Sequence, residues 1–472
     1  MLQTTYDESI RDSSPASLMR YEYFRNIFDE ARVGRIEFYG KVMDWHTKWS
    51  DEIRVLYHAN FYRSAVALSL HHVLRRRSAQ SPASEGDSAA PGAGQAPVSG
   101  QSYKVGMYAD LSALPGHSEA LFSSAGQTSL FYTMPWYQNF IQTVLPENER
   151  LRIYAVDTVA QQPAARALLL MRYPHTGAGW FKDRTLSGLS NYYTSMFGPV
   201  ITPDGLEVTQ TLDTLAAAIA GDEIRWDVVD MHPLATDAPI FSGLLNAFRK
   251  AGLLTQPYFC FGNWYLQVGG RSYAEYFDTR PSQLKSTITR KGHQFERSAG
   301  SRMVIYWDEA GLDEGLRAYE QIYAASWKVP EPYPEFIRGL CRTCAKAGWL
   351  RLAVAYVDSQ PAAAQIWIVA DGTASIYKLA YDERFARFSL GTILTAYLME
   401  HVIDVDKVTV VDYLTGDDAY KKDWMSDRRE RWGIVAFNLR TVRGALAATR
   451  HLGARGAKRA INAVRRLGGT PN

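Results

Sequence analysis

The sequence lacks several features that would assign its class at once. It has three cysteines in 472 residues, too few for a disulfide framework, which agrees with a reducing compartment. No run reaches the roughly 18 uninterrupted apolar residues that a membrane-spanning helix needs. The N-terminal segment carries acidic residues and no apolar core, so it is not typical of a secretory signal. We therefore expect a cytoplasmic protein.

Neither sign of charge predominates. The formal net charge is +3, and 46% of the residues are hydrophobic, both ordinary values for a globular protein. The net charge therefore identifies no partner. A chain of 472 residues exceeds the size at which one hydrophobic core stops growing, so we expect two or three domains.

Cys341 and Cys344 form a C-x-x-C pair inside the helical pattern EFIRGLCRTCAKAG. A zinc site would need a second cysteine pair or a neighbouring histidine cluster, and the sequence supplies neither. We predict that the pair packs in a core and that the protein holds no metal.

The chain divides into five predicted regions of different composition. The region rich in Ser, Ala, Gly and Pro is predicted to be a disordered low-complexity linker. After it, strand-like runs alternate with amphipathic helices, which predicts an α/β protein with a mixed sheet and helices on its faces. The predicted regions are a helical N-terminal extension (1–76), the linker (77–102), a first α/β unit (103–259), a second α/β unit (260–440) and a basic tail (441–472).

One predicted helix begins in an unusual way. Ser389 is a good N-cap, Gly391 removes a side chain from the first turn, and Thr392 adds a hydroxyl there. A sparsely covered helix start exposes backbone N–H groups, which together with the helix dipole attract phosphate. The upstream residues Arg384 and Arg387 could add charge-assisted bonds. The simpler alternative is that this segment only caps a helix, whose predicted buried face carries Leu390, Leu394, Leu398 and Val402.

A second unusual segment is DYLTGDDAYKKDW (412–424), which follows the apolar run KVTVVDYL. It places a carboxylate, a phenol and an amine near one another, the groups that acyl transfer uses for proton transfer and charge stabilisation. The alternative is structural: Tyr420 and Trp424 are four residues apart and could pack together, while Asp417 and Asp418 could start a helix.

The order of these elements resembles the central part of the GNAT acyltransferase fold. Residues 260–440 look most similar to the CelD/BcsL acetyltransferases, which are related to the FemAB aminoacyltransferases and often carry tandem GNAT-like units. The resemblance rests on YDERFARFSLGTIL and DYLTGDDAYKKDW, and QTSLFYTMPWYQNFI (127–141) resembles the start of the family's first unit. Leu390 stands where the family commonly has proline. The first unit, which lacks an equivalent helix start, is expected to be degenerate.

The resemblance implies acyl-CoA, such as acetyl-CoA, as the co-substrate and no metal. The pyrophosphate would face Ser389, Leu390, Gly391 and Thr392, with Arg387 nearby, and the pantetheine would run along TASIYKLAY between two separating strands. In this arrangement Tyr420 could protonate the leaving thiolate, and Asp412 could orient or deprotonate the acceptor. Lys421 could hold an anionic substrate or stabilise negative charge.

The acceptor implied by the resemblance is an amine or hydroxyl, on a small molecule, a saccharide or a cell-envelope precursor. One alternative is FemAB-like aminoacyl transfer to a peptidoglycan precursor, the only case in which a nucleic acid, the charged tRNA, is expected. Another is a non-catalytic scaffold in polysaccharide biosynthesis. From Arg440 onward the chain is basic and free of acids, which is typical either of peripheral contact with an anionic membrane or of a solvated tail.

Overall fold

The protein, seen here in a computed structural model, is described over residues 15–30, 102–175, 183–201 and 205–453. It divides into two compact units, residues 1–71 and 72–472. In the first unit, helix α1 spans Pro15–Glu30. The remainder of the predicted N-terminal extension, the linker up to residue 101 and the tail beyond residue 453 lie outside the described residues.

The second unit contains a large mixed sheet and helices, which confirms the predicted α/β class. Its strands are β1 (Tyr103–Tyr108), β2 (Glu149–Thr158), β3 (Ala165–Pro174), β4 (Thr185–Gly188), β5 (Val200–Ile201), β6 (Val228–Ala235), β7 (Leu254–Gln267), β8 (Arg302–Tyr306), β9 (Leu350–Val357), β10 (Gln360–Ala370), β11 (Thr373–Tyr381), β12 (Val410–Asp412) and β13 (Asp427–Phe437). Its helices are α2 (Ser118–Gly126), α3 (Met134–Thr143), α4 (Gly205–Ala220), α5 (Pro239–Lys250), α6 (Tyr273–Asp278), α7 (Ser282–Glu296), α8 (Glu309–Ala324), α9 (Pro334–Lys346), α10 (Leu390–Glu400), α11 (Lys421–Trp424) and α12 (442–453).

The sheet contains the same strand arrangement twice. Its order is β1-β2-β3-β4-β6-β13-β7-β12-β11-β10-β9-β8, with β5 paired to β3. In each half, four successive antiparallel strands are followed by one parallel strand: β4 pairs parallel to β6, and β11 pairs parallel to β12. Because a parallel pair needs a crossover, α4 makes the connection in the first half and α10 makes it in the second. The chain therefore contains two halves of similar topology.

The two halves exchange their last strands. β7 follows β6 in the sequence but pairs with β12, while β13 follows β12 and pairs with β6. β7 and β13 also pair with each other, from Leu254 opposite Phe437 to Tyr265 opposite Asp427. The boundary predicted between residues 259 and 260 therefore falls inside β7. Hydrogen bonding with β13 extends β7 well before the predicted strand GNWYLQV.

A helix pair also joins the halves on one face of the sheet. Trp136 of α3 packs edge-on against Phe336 of α9, with ring centroids 5.3 Å apart. The Asn139 side-chain amide donates to the Phe336 carbonyl at 3.0 Å. Trp136 and Tyr137, aromatics that could have stacked on a ligand, are buried in this core. Among the described residues, no helix combines the length and hydropathy needed to cross a bilayer.

The predicted leucine-rich face of α10 is buried. Leu390, Leu394, Leu398 and Val402 are each at most 2% exposed and belong to the core on the other face of the sheet. After Glu400 the helix continues as a π-helical turn, residues 401–405, before the chain reaches β12. This packing holds the start of α10 at the end of β11.

Cys341 and Cys344 lie on the inner face of α9, and both are fully buried. Burial disfavours the charged thiolate, which raises the pKa of Cys341 to about 12. The side chains therefore pack in the core, and the described residues contain no cluster of histidine, cysteine or acidic groups arranged to hold a metal.

We expect a thiol reagent at pH 8 to leave Cys341 and Cys344 unmodified in the native protein. Reactivity requires both the thiolate and access, and burial removes both. A Cys260→Ser variant would remove the partly exposed third cysteine, so that any native reaction reports the buried pair. Rapid modification of two thiols in this folded variant would contradict the packing, whereas denaturation should expose both.

Candidate active site

A gap opens in the middle of the sheet where β11 and β12 separate. The two strands pair in parallel over only three residue pairs, the last being Ser375 with Asp412. β11 continues to Tyr381 beside β10, but the chain after β12 turns toward β7, where the Tyr413 amide donates to the Trp264 carbonyl at 2.9 Å. The edge of β11 beyond Ser375 thus has no neighbouring strand in the described sheet. A register shift marks the same stretch, where β10 residues 366 and 367 face β11 residues 378 and 376.

The start of α10 lies at the open end of this gap. Ser389 occupies the N-cap position but has a left-handed backbone, with φ of 52°, and its side chain makes no capping hydrogen bond. The prediction of an ordinary serine N-cap is therefore wrong, because the Ser389 side chain makes no hydrogen bond to the first amides of the helix. Instead the Ser389 carbonyl accepts from Thr392 and Ile393. In a helix the amides before these, of Leu390 and Gly391, have no intrahelical acceptor.

A buried hydrogen-bond chain fixes this helix start to the sheet. Gln365 of β10 is 1% exposed and donates to the Gly391 carbonyl at 2.9 Å and to the Thr395 hydroxyl at 2.8 Å. The Trp367 indole donates to the Gln365 side-chain oxygen at 2.8 Å. A Cβ at Gly391 would meet only Tyr381, at 3.9 Å, so a side chain can be added there without a clash. The buried hydrogen bonds from Gln365 hold this helix start against β10.

The basic residues near the start of α10 differ in whether their charge is already paired. Arg384 pairs with Asp382 at 2.6 Å, so its charge is already compensated. The exposed Arg387 guanidinium lies over the Phe388 ring, and the Arg387 carbonyl accepts from Lys291 of α7. A shallow polar groove runs along the same helix, lined by Ser286, Thr289, Arg290, His293, Gln294 and Arg297. Together with Lys291, these side chains make the surface of α7 basic.

Asp412 lies at the end of β12, at the base of the gap, as predicted, but it is already fully engaged. Its carboxylate accepts from the Asn263 amide at 2.6 Å, the Leu414 backbone at 2.6 Å and the Arg429 guanidinium at 2.5 Å. The side chain is buried, with a relative exposure of 7%. These donors occupy the lone pairs that a general base would use, and they fix the turn that ends β12.

Lys421 is also engaged within its own segment. Its side chain is 5% exposed, and its ammonium donates to the Thr415 carbonyl at 2.6 Å and pairs with Asp418 at 3.1 Å. Gly416, with φ of 103°, lies between these partners, and a Cβ there would approach the ammonium to 3.1 Å. Lys421 therefore stabilises the turn 415–418 by binding groups at both of its ends. It does not present a free cation to an acceptor.

Tyr420 is the most exposed member of the predicted trio. The residue is 46% exposed, and its ring packs edge-on against that of Tyr413, with centroids 5.8 Å apart. Desolvation, with a smaller contribution from the Asp418 charge, raises the pKa of Tyr420 to about 12. Because Tyr413 directly follows Asp412, the neutral phenol lies one side chain away from the base of the gap. It is a hydrogen-bond donor at neutral pH.

Sequence reasoning missed an acid–base cluster along the open edge of β11. Glu331 accepts from Lys378 and from the Tyr193 hydroxyl, each at 2.6 Å. Burial opposes ionisation of Glu331, but these hydrogen bonds outweigh it and lower its pKa. Lys328 donates to the Leu379 carbonyl on the same edge. The segment SWKVPEPY carries no motif that would have indicated this arrangement, because Lys378 and Tyr193 reach it from distant parts of the chain.

A second missed group lies on β13. Arg429 and Arg431 are two residues apart, so both project to one face of the strand and line a cavity together with Asp412 and Asn263. The apolar run GIVAFNLRT predicts a strand from Gly433, whereas β13 begins at Asp427, so the sequence did not reveal that the two arginines share a strand face.

Part of this site lies in a segment of the chain that has a sequence match. Residues 282–422 match the acetyltransferase (GNAT) domain family. They include the start of α10, the gap, Asp412 and Tyr420. No curated protein sequence matches the chain significantly.

Several solved structures are similar at low identity. FemX is 11% identical with a TM-score of 0.47, covering 68% of this chain and 95% of FemX. The C-terminal domain (DUF2156) of a putative lysylphosphatidylglycerol synthetase from Agrobacterium fabrum is 11% identical, with a TM-score of 0.41 and coverage of 70% and 96%. A tandem GNAT protein from the clavulanic acid biosynthesis pathway is 12% identical, with a TM-score of 0.41 and coverage of 71% and 98%.

The position of Lys328 has a consequence for stability that can be measured. Burial, with a contribution from the nearby Lys378 charge, lowers the pKa of Lys328 to about 8, from 10.5 for a free lysine. Between these pH values the unfolded chain binds a proton that the folded chain has lost, so the free energy of unfolding gains a contribution that grows with pH.

We expect the free energy of unfolding of the wild type to rise, relative to that of Lys328→Met, as the pH increases from about 8 to about 10.5. Urea unfolding of both proteins at several pH values measures the difference. Lys346→Met, at an exposed site at the end of α9, is the matched control. If the difference in free energy of unfolding between the wild type and Lys328→Met stays constant over this pH range, the Lys328 ammonium is not buried.

Proposed function

We propose that this chain is an acyltransferase that moves an acetyl or other acyl group from acyl-CoA to an amine or hydroxyl. The observation that supports this proposal is the gap between two parallel strands, which opens in front of an uncovered helix start. The gap and the helix start lie within residues 282–422, which match the acetyltransferase (GNAT) domain family. A long anionic thioester can be held at the amides while its arm lies along β11.

The donor phosphates are assigned to the amides of Leu390 and Gly391, the Thr392 hydroxyl and the exposed Arg387. Helix amides aimed at a phosphate gain from the helix dipole, and charge-assisted bonds add to the affinity. The open edge of β11 then supplies backbone groups for the amides of the donor arm. Lys328 must leave the Leu379 carbonyl for the arm to reach this stretch. Burial disfavours the charged form of Lys328 at this position, so release of the ammonium into solvent recovers hydration that burial removed.

In the transfer step, the acceptor nitrogen or oxygen attacks the thioester carbonyl and forms a tetrahedral intermediate, and the proton of the acceptor passes to solvent water. The carbon–sulfur bond then breaks as the carbonyl re-forms, and the leaving sulfur takes a proton. Tyr420 is assigned as the donor of that proton and regains it from solvent, since the residue is neutral, partly exposed and close to the base of the gap. Asp412 and Lys421 are positioning residues that hold β12 and the 415–418 turn in place.

The acceptor is proposed to belong to a saccharide or a cell-envelope precursor. Tyr192 supports this class, because its ring is 53% exposed and lies beside that of Tyr193, with centroids 4.2 Å apart. Exposed aromatic faces are suited to stacking on sugar rings. Both tyrosines are close to Lys378 on the open edge of β11.

The donor assignment is tested by Gly391→Glu, which places a negative charge where the pyrophosphate should lie. We expect the affinity for CoA to fall at least tenfold, which corresponds to about 1.4 kcal/mol. Titration calorimetry measures it. Gly391→Ala should bind CoA nearly as the wild type does, because its Cβ has only an ordinary contact at 3.9 Å.

Gly116→Glu is the matched charge control, since a Cβ there meets nothing within 4 Å and the site lies in the first half of the chain. Unchanged CoA binding by folded Gly391→Glu would move the phosphate site elsewhere. A wild-type chain that binds no CoA, yet transfers an aminoacyl group from charged tRNA, would replace this proposal with the FemAB-like alternative.

The role of Tyr420 is tested by Tyr420→Phe, which keeps the ring packed against Tyr413 and removes the hydroxyl. Loss of general-acid assistance should lower kcat by roughly 10² to 10⁴, with little change in CoA affinity. Tyr397→Phe, at a partly exposed position on α10, is the matched control. Wild-type turnover by folded Tyr420→Phe would leave ring packing as the only role of this residue.

A further inference from the structure

A polar cavity of about 150 Å³ lies on the face of the sheet opposite α10, at the base of the gap. Ser375 and Asp412, the last paired residues of β11 and β12, form part of its wall. The first half of the chain contributes Ser129 and Ser195 to the opposite wall. The cavity is therefore closed only when both halves are assembled, and it adjoins the place where the acyl carbonyl would lie.

The two arginines that line the cavity differ in how closely their N–H donors are hydrogen-bonded. Arg429 is held by close contacts, 2.5 Å to Asp412 and 2.7 Å to the Asn263 side-chain oxygen. Arg431 is 4% exposed, yet its described polar contacts are long, 3.4 Å to Asp237 and 3.5 Å to the same Asn263 oxygen. A guanidinium has five N–H donors, and a buried one with two long contacts retains much of its binding capacity. Arg431 therefore has donors available to a further acceptor.

Asp237 makes only long contacts with Arg429 and Arg431. Its side chain is 52% exposed and approaches both guanidiniums only at 3.4 to 3.5 Å. An exposed carboxylate at this distance contributes little, so the described contacts give the buried Arg431 guanidinium no close counter-ion. Asp237 itself does not line the cavity. Burial and the neighbouring Arg429 lower the pKa of Arg431, so an additional anion would relieve an unfavourable environment.

Hydroxyl groups complete the lining. The Ser129 side chain accepts from the Phe131 amide at 3.3 Å, which leaves its own proton free to donate to a ligand. The Ser195 hydroxyl lies 2.9 Å from that of Thr415, where either can donate. Two hydroxyls facing a buried guanidinium provide the donors that carboxylate and phosphate oxygens require.

We propose that this cavity binds a compact oxyanion, a carboxylate or a phosphate, that belongs to the acyl acceptor. Arg431 is the principal ligand, and the incoming anion supplies the close counter-ion that Asp237 does not. The assignment to the acceptor rests on the proposed acyl transfer, whereas the anion site itself does not. The volume corresponds to about five waters, at about 30 Å³ each, so it admits the anionic group and a few neighbouring atoms. The acceptor should therefore carry its anion within a few bonds of the nucleophile.

The test uses the full chain without CoA, titrated by calorimetry with inorganic phosphate and separately with glycolate, against sodium chloride at equal ionic strength. We expect one-site binding of at least one probe in the wild type. Arg431→Gln should weaken it at least tenfold, and Asp237→Asn should tighten it at least threefold by removing the competing carboxylate. A preference for phosphate or for glycolate identifies which oxyanion the cavity selects.

Arg428→Gln is the matched control, because Arg428 is on the same strand and pairs with Asp417 at 2.6 Å but does not line the cavity. It should bind the probe as the wild type does. The proposal is overturned if neither probe binds beyond chloride, if Arg431→Gln binds like the wild type, or if Arg428→Gln weakens binding equally.

If Arg431→Gln fails to fold, Asp237→Asn decides the question, since it retains both arginines, and unchanged affinity would then reject the site. Anion binding in a chain that fails to bind CoA would overturn the donor assignment and leave the anion site standing.

Discussion

The early end of the pairing between β11 and β12 is the constraint on which the candidate site depends. Asp412 sets that end, because its carboxylate is held by Asn263 from β7, Arg429 from β13 and the backbone of Leu414. These bonds draw the chain toward β7, so β12 cannot continue beside β11. Breaking a buried ion pair by removing one partner typically costs about 3–5 kcal/mol, which makes the gap a strongly specified feature.

The exchange of β7 and β13 gives the first half of the chain a direct part in the site. β13 lies between β6 and β7, so its arginines face side chains from both halves. Ser195 of the first half lies 2.9 Å from Thr415 in the segment after β12. The first half can therefore shape the acceptor side that is proposed above. Its contribution is to the walls of the cavity and to the tyrosines beside β11.

The two sides of the gap differ in electrostatic character. On the α10 side, backbone amides and the basic residues of α7 favour a highly charged ligand, and the site is open to solvent. On the opposite side each arginine has a carboxylate neighbour, and the cavity is small and polar. A long donor can therefore be held by phosphates that are distant from the reacting bond, while the acceptor is selected by short-range contacts. Binding energy from remote groups can in this way support the reaction at the thioester.

The sequence by itself determined the elements whose signal is local. The spacing of Leu390, Leu394, Leu398 and Val402 specifies a buried helix face, because side-chain periodicity follows from helix geometry. The run TASIYKLAY, preceded by a short polar turn, predicts the strand that the structure has at Thr373–Tyr381. The order of strand, turn, helix and strand then placed Gly391 at a helix start and Asp412 at a strand end. Those placements needed no knowledge of long-range contacts.

Only the tertiary structure decided which charged groups are free. Asp412 and Lys421 have the residue types of a catalytic pair, but partners from β7, β13 and the 415–418 turn already engage them. The exchange of β7 and β13, and the meeting of Arg431 with the serines of the first half, likewise depend on pairing between segments more than 100 residues apart. No local pattern encodes such a pairing, because it is selected by the packing of the complete sheet and by the need to satisfy every buried charge.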